Sequence, residues 1–115
     1  MEQSEFQTIE LTSDILLIKL PPKLLGGSAT SVMNEIVENA KGKKLKALLL
    51  DLSNVEVINS LGLGMIVAAY TSLKKNSIAL ILISPSDKVL NLLKITHLDT
   101  IFKIYNSADE YLSAL

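Results

Sequence analysis

Residues 78–83 read Ile-Ala-Leu-Ile-Leu-Ile, six apolar residues in succession. A strand with one wet face alternates apolar and polar residues. An unbroken apolar run fits a strand buried on both faces, so this segment is the best candidate for a central strand. The run Ala47-Leu48-Leu49-Leu50 has the same character and follows a basic patch over residues 43–46. Helical spacing lies between the two runs. Strand–helix–strand order with buried strands implies an α/β layer structure with parallel crossovers.

The flanking segments fill in that frame. Residues 6–11 alternate as a half-buried strand, and residues 15–20 form a second, more apolar one. Only Thr12-Ser13-Asp14 separates them, so they should pair as an antiparallel hairpin and make the sheet mixed. Pro21-Pro22 stops the second strand, because proline cannot donate to the ladder. Gly26-Gly27-Ser28 opens the first helix with Ser28 as expected N-cap, and Gly42 is expected to end it. Val32, Ile36, Val37 and Ala40 mark its buried face. Residues 52–58 are a connection with some strand character. A second helix is expected over about residues 61–75, burying Leu63, Ile66, Val67, Tyr70 and Leu73. Ser84-Pro85-Ser86 caps a short third helix with Val89, Leu92 and Leu93 inward. A last strand spans residues 101–105, and a terminal helix over 108–115 buries Tyr111, Leu112 and Leu115. The expected fold is α/β, a mixed four- to five-stranded sheet with about four helices mainly on one side, and residues 1–115 read as one domain.

Composition excludes several functions. The 115 residues contain no cysteine, which removes disulfides, thiol catalysis and thiolate metal sites and fits a reducing compartment. Eleven basic and twelve acidic side chains leave a formal net charge of -1, and aromatic residues make up 4%. A nucleic-acid binder would show a basic excess or stacking aromatics. Residues 1–5 are acidic and polar, unlike a secretory signal. The longest uncharged stretch, residues 57–73, is interrupted by Asn59, Ser60, Thr71 and Ser72 and falls short of the ~20 apolar residues of a membrane span. A soluble cytoplasmic protein is expected, with no nucleic-acid partner and no membrane insertion.

The chemistry concentrates in Val57-Ile58-Asn59-Ser60-Leu61-Gly62-Leu63-Gly64, which joins strand-like sequence to a helix. Ser60 falls at the helix start. It reads there as an N-cap, its hydroxyl accepting from a free backbone N–H. The same geometry suits a phosphate, because a helix N-terminus carries partial positive charge and unpaired donors. A phosphoserine would add roughly -1.5 to -2 charge with little strain on the fold. Gly62 and Gly64 do not make a dinucleotide fingerprint: Val67 holds the third position, and the region where the acidic residue would stand is the apolar run of residues 78–83. Their expected role is close packing or a neighbouring backbone at the helix start. His97, the only histidine, has no nucleophile or orienting partner in sequence and reads as a surface or cap residue. Lys41, Lys43, Lys44 and Lys46 read as a solvated run. Asp51 at a strand end is one carboxylate, too few for a metal site. No catalytic residue, metal or cofactor is expected.

The segment Leu49-Leu50-Asp51-Leu52-Ser53, followed by residues 57–64, resembles the signature of the STAS domain of bacterial anti-sigma factor antagonists. In that family a hydrophobic strand ends in an Asp-Leu-Ser-like segment. A later Asp-Ser-Ser-Gly-Leu-Gly-like stretch carries the phosphorylated serine, which matches Ser60. The order of elements matches over nearly the whole chain, including Ile83-Ser84-Pro85 before the third helix. The resemblance implies an antagonist that binds an anti-sigma factor, often a serine kinase, and frees a sigma factor. Phosphorylation of Ser60 would break that complex, and a serine phosphatase would reset it. It also implies partner contacts at Asn59, Ser60, Leu61, Gly62, Leu25 and Gly26. Three positions depart from the pattern: Asn59 replaces an acidic residue, Leu61 replaces the second serine, and Leu25 stands near the acidic residue common before the first helix. Kinase recognition or partner choice is expected to differ accordingly. The alternative is a STAS scaffold subunit, never phosphorylated, in a transporter or stress-signalling assembly.

Overall fold

A computed structural model describes residues 6–115; the acidic segment of residues 1–5 lies outside them. The elements run β1 (Gln7–Thr12), β2 (Ile15–Lys19), β3 (Lys23–Leu24), α1 (Ser28–Lys43), β4 (Ala47–Asp51), β5 (Val57–Ile58), α2 (Ser60–Lys74), β6 (Ala79–Ile83), α3 (Asp87–Ile95), a 3₁₀ turn (Leu98–Thr100), β7 (Lys103–Tyr105) and α4 (Ala108–Ser113). The main sheet has five strands in the order β1-β2-β4-β6-β7. The β1–β2 hairpin is antiparallel, and the other three pairings are parallel. The strand–helix–strand inference therefore holds, and the opening hairpin makes the sheet mixed. The apolar run at residues 78–83 supplies an interior strand, but the middle of the sheet is β4.

Strand periodicity divides the core in two, because successive side chains point to opposite faces. Leu16, Ile18, Leu48, Leu50, Leu80 and Leu82 face Met33, Val37 and Ala40 of α1, Met65, Ile66, Ala69 and Leu73 of α2, and Val89 and Leu93 of α3. Ile15, Leu17, Ala47, Leu49, Ile81 and Ile83 face the other way and are covered by Tyr111 of α4, with Ala108 and Leu112 beside it. Three helices thus share one face and the short α4 takes the other.

Several local expectations shift. The N-cap of α1 is Gly27, and Ser28 is the first helical residue, with no side-chain cap bond at this end. Gly27 has φ 63, a left-handed conformation that glycine adopts without steric cost and serine would not. Helix α1 runs through Gly42 to Lys43 and is closed by Lys44 in the left-handed conformation. Its buried face includes Met33, whereas Val32 is half-buried. The buried side of α2 is Gly62, Met65, Ile66, Ala69 and Leu73; Leu63, Val67 and Tyr70 pack at its margin. Ser86 caps α3 as expected, its hydroxyl accepting from Val89 N–H at 3.2 Å. Residues 98–100 wind into a 3₁₀ turn, so the last strand begins at Lys103. Leu115 lies beyond α4 and is 61% exposed, so it is not a core residue.

Candidate functional site

The site is assembled by two strands of two residues each. β3 pairs parallel with β5, Lys23 opposite Val57 and Leu24 opposite Ile58. This small ladder lays the segment before α1 against the start of α2. Asn59 N–H donates to the Leu24 carbonyl at 3.3 Å. The Asn59 side chain accepts from Gly62 N–H at 3.0 Å and donates through Nδ2 to the Leu25 carbonyl at 3.4 Å. One carboxamide therefore caps α2 and fastens the neighbouring loop to it.

This geometry corrects the reading of Ser60. The N-cap of α2 is Asn59, and Ser60 is the first helical residue, exposed, with its hydroxyl outside the capping bonds. Both residue types cap well. The position is decided by the approach of Leu24, which fixes where the helix can begin. Of the four unpaired donors at a helix start, Asn59 N–H and Gly62 N–H are taken. The Ser60 and Leu61 amides have no such partner among the described residues.

The expected site residues converge. Leu25 and Leu61 are large apolar side chains left 42% and 64% exposed, Leu61 next to Ser60 in the chain and Leu25 in the loop whose carbonyl Asn59 holds. Gly26, at φ +92, lies against Leu61, since a Cβ placed there would come within 3.0 Å of Leu61 Cβ. A Cβ on Gly62 would run into the Leu24 carbonyl oxygen, so only glycine permits the close approach of the two segments. Gly62 thus has the packing role expected of it. Gly64 does not: a Cβ there meets nothing within 4 Å. Gly64 stands inside α2 at a cost of about 0.5–1 kcal/mol relative to alanine.

An open groove of about 340 Å³ runs between the starts of α1 and α2, lined by Gly26, Gly27, Thr30, Ser60, Leu61, Gly64, Met65 and Ala68. Thr30, Met65 and Ala68 were not marked by the sequence reading. The signal lay in α2, where residues 61, 64, 65 and 68 share one helical face. None of the lining residues is charged, and the first turn of α2 carries no acidic residue. The positive end of the helix dipole is therefore unscreened by the protein's own carboxylates.

The other candidates fall elsewhere. Asp51 is half-buried at the end of β4, where its carboxylate accepts from Ser53 N–H at 2.9 Å and shapes the turn toward β5. His97 is exposed in a left-handed conformation before the 3₁₀ turn, a cap position. Lys41 pairs with Glu38 at 3.0 Å, and Lys43, Lys44 and Lys46 are exposed. Among the described residues, no three His, Cys, Asp or Glu side chains gather in a way that could hold a metal ion. No helix among them is long and apolar enough to cross a membrane.

The chain is similar to several known proteins. A Thermotoga maritima protein named "Putative anti-sigma factor antagonist" is 33% identical over 98 residues, covering 84% of this chain and 87% of the relative. The anti-sigma-B factor antagonist of Listeria monocytogenes is 35% identical over 78 residues, 68% of each chain. The phosphorylated form of the Bacillus cell fate determinant SpoIIAA superposes with a TM-score of 0.74, covering 95% of this chain and 97% of that one. At 16% identity it speaks for the fold alone. The family model for the STAS domain matches residues 7–111. With that match, and the mixed sheet and helix order described above, the chain belongs to the STAS domain family.

Proposed function

We propose that this chain is an anti-sigma factor antagonist, a binding protein and not an enzyme. In this reading it sequesters an anti-sigma factor that is itself a serine kinase, and phosphorylation of Ser60 by that partner ends the complex. A serine phosphatase restores it. The observation that carries the reading is the placement of Ser60: exposed at the first position of α2, outside the capping bonds, in the lining of an uncharged groove with Leu61 beside it. The names of the Thermotoga and Listeria relatives support the partner class.

The placement suits a switch that leaves the fold alone. A phosphate at the first helical position meets the positive end of the α2 dipole and the unpaired amides of the first turn. It also sets roughly -1.5 to -2 charges on an otherwise uncharged apolar surface. A partner that buries this surface would have to desolvate them, which is costly for an unpaired charge.

The test is a pair of variants. Ser60→Ala removes no capping bond, so its stability should stay within about 0.5 kcal/mol of wild type. Ser60→Asp gains about 0.3–1 kcal/mol from the helix dipole. Both should fold, so changes in binding report on the surface. Against purified anti-sigma kinases of the source organism, Ser60→Ala should bind without gaining phosphate by intact mass, and Ser60→Asp should bind weakly. Equal affinity for wild type and both variants would remove the switch and favour a scaffold that never cycles through phosphorylation.

A further inference from the structure

Gly64 is the one glycine of the Ser60 surface whose identity the fold does not explain. Gly62, two positions earlier, is required by the Leu24 carbonyl, and Gly26 and Gly27 by their positive φ angles. Gly64 has ordinary helical geometry and open space around it. Alanine would fit and would favour the helix. Gly42 in α1 also has open space, but it sits one residue from the end of its helix, where a weak helix former costs little. Gly64 lies in the second turn of α2, exposed, and lines the groove beside Ser60.

The groove states what it would accept. Its lining is apolar or small, with Leu61, Met65 and Ala68 from α2 and Gly26, Gly27 and Thr30 from the start of α1 and the loop before it. No charged side chain lines it, so it offers nothing to compensate a buried charge. It is continuous with Ser60, which also lines it. We infer that the groove between α1 and α2 receives an uncharged apolar side chain of the anti-sigma partner, and that Gly64 is a specificity-determining residue because its missing side chain keeps the groove open. The inference rests on the antagonist reading for the identity of the partner, but not for the apolar character of the groove.

Two measurements test it. In the first, isoamyl alcohol, which carries the isobutyl group of leucine, is titrated into isotope-labelled protein. Saturable amide shifts at Thr30, Leu61 and Ala68 are expected in wild type and should vanish in Gly64→Leu, whose side chain fills the groove. Wild-type protein without saturable shifts there overturns the inference whether or not a partner is known. In the second, affinity for the purified anti-sigma kinases is compared with thermal stability. Gly64→Leu should lose at least about tenfold in affinity. Its melting temperature, like that of Gly64→Ala, should rise by about 2–6 °C as helix propensity improves. Gly42→Ala should gain stability without losing affinity. Wild-type affinity in Gly64→Leu overturns the inference. If wild type binds none of the kinases, the antagonist reading fails instead, and the alcohol titration decides the groove alone.

Discussion

Asn59 shows how one substituted atom can change a site without unfolding it. Its carboxamide oxygen accepts from Gly62 N–H and its nitrogen donates to the Leu25 carbonyl. An aspartate would keep the first bond and strengthen it, since a carboxylate at a helix N-terminus gains about 0.3–1 kcal/mol. It would lose the second and face a carbonyl oxygen with a negative charge. The two effects oppose, so Asn59→Asp should change stability by no more than about 1 kcal/mol. The local result is different. The loop at Leu25 and Gly26 should loosen from α2, with faster amide exchange there than in wild type. The same substitution sets a charge beside Ser60 and should alter which kinase the protein accepts. Unchanged exchange at Leu25 and Gly26 would mean that the Nδ2 bond does not hold the loop.

At the scale of elements, strength of local signal decided what could be read from sequence. The runs at 47–50 and 78–83 announced buried strands because no other element explains four to six apolar residues between polar boundaries. Ser86 was legible as a cap because helix spacing starts immediately after it. β3 and β5 were illegible as a pair. Each is two residues long, and their ladder joins residues more than thirty positions apart. That ladder moves the α2 cap from Ser60 to Asn59 and makes Gly62 necessary, so the detail of the site depended on a non-local contact. Helix α4 supplies another test. Tyr111 is its buried anchor, with its ring edge-on to Tyr105 at a centroid distance of 5.3 Å. Burial raises the Tyr111 phenol above its ordinary value of 10.0, with Tyr105 and Asp14 adding to the shift. A phenol with a raised native pKa binds its proton more tightly when folded. Its contribution is intact below the unfolded pKa, near 10, and is lost as pH rises through the higher native value. Urea melts of wild type should therefore weaken above about pH 10, and Tyr111→Phe should flatten that decline. A Phe variant with the wild-type alkaline slope would assign the loss to other groups.

On the scale of the whole molecule, the sheet separates two cores that differ in their link to Ser60. Leu49 and Leu50 are neighbours on β4, the middle strand, and both are fully buried. Leu50 points toward α1, α2 and α3, into the cluster that also holds Leu24, Met65 and Ile66, with Ile58 packed against it. Leu49 points the other way, toward the six-residue α4. Truncating a buried leucine to alanine costs about 2–5 kcal/mol, depending on how far the surroundings collapse into the cavity. The face walled by α1 and α2 is held by fifteen- and sixteen-residue helices and has little freedom to close. The face under α4 has a short terminal helix that can settle inward. Leu50→Ala should therefore lie near the upper end of that range and Leu49→Ala near the lower end, by urea denaturation with an unchanged m-value. Their effects on the site should diverge further than their stabilities. Leu50→Ala opens a cavity under the elements that carry Leu24, Ile58 and Met65, so amide shifts should reach Asn59, Ser60 and Gly62. Leu49→Ala should leave those amides in place, because β4 itself stands between its cavity and the groove. Equal costs for the two variants, or site shifts caused by Leu49→Ala alone, would contradict the separation of the two faces.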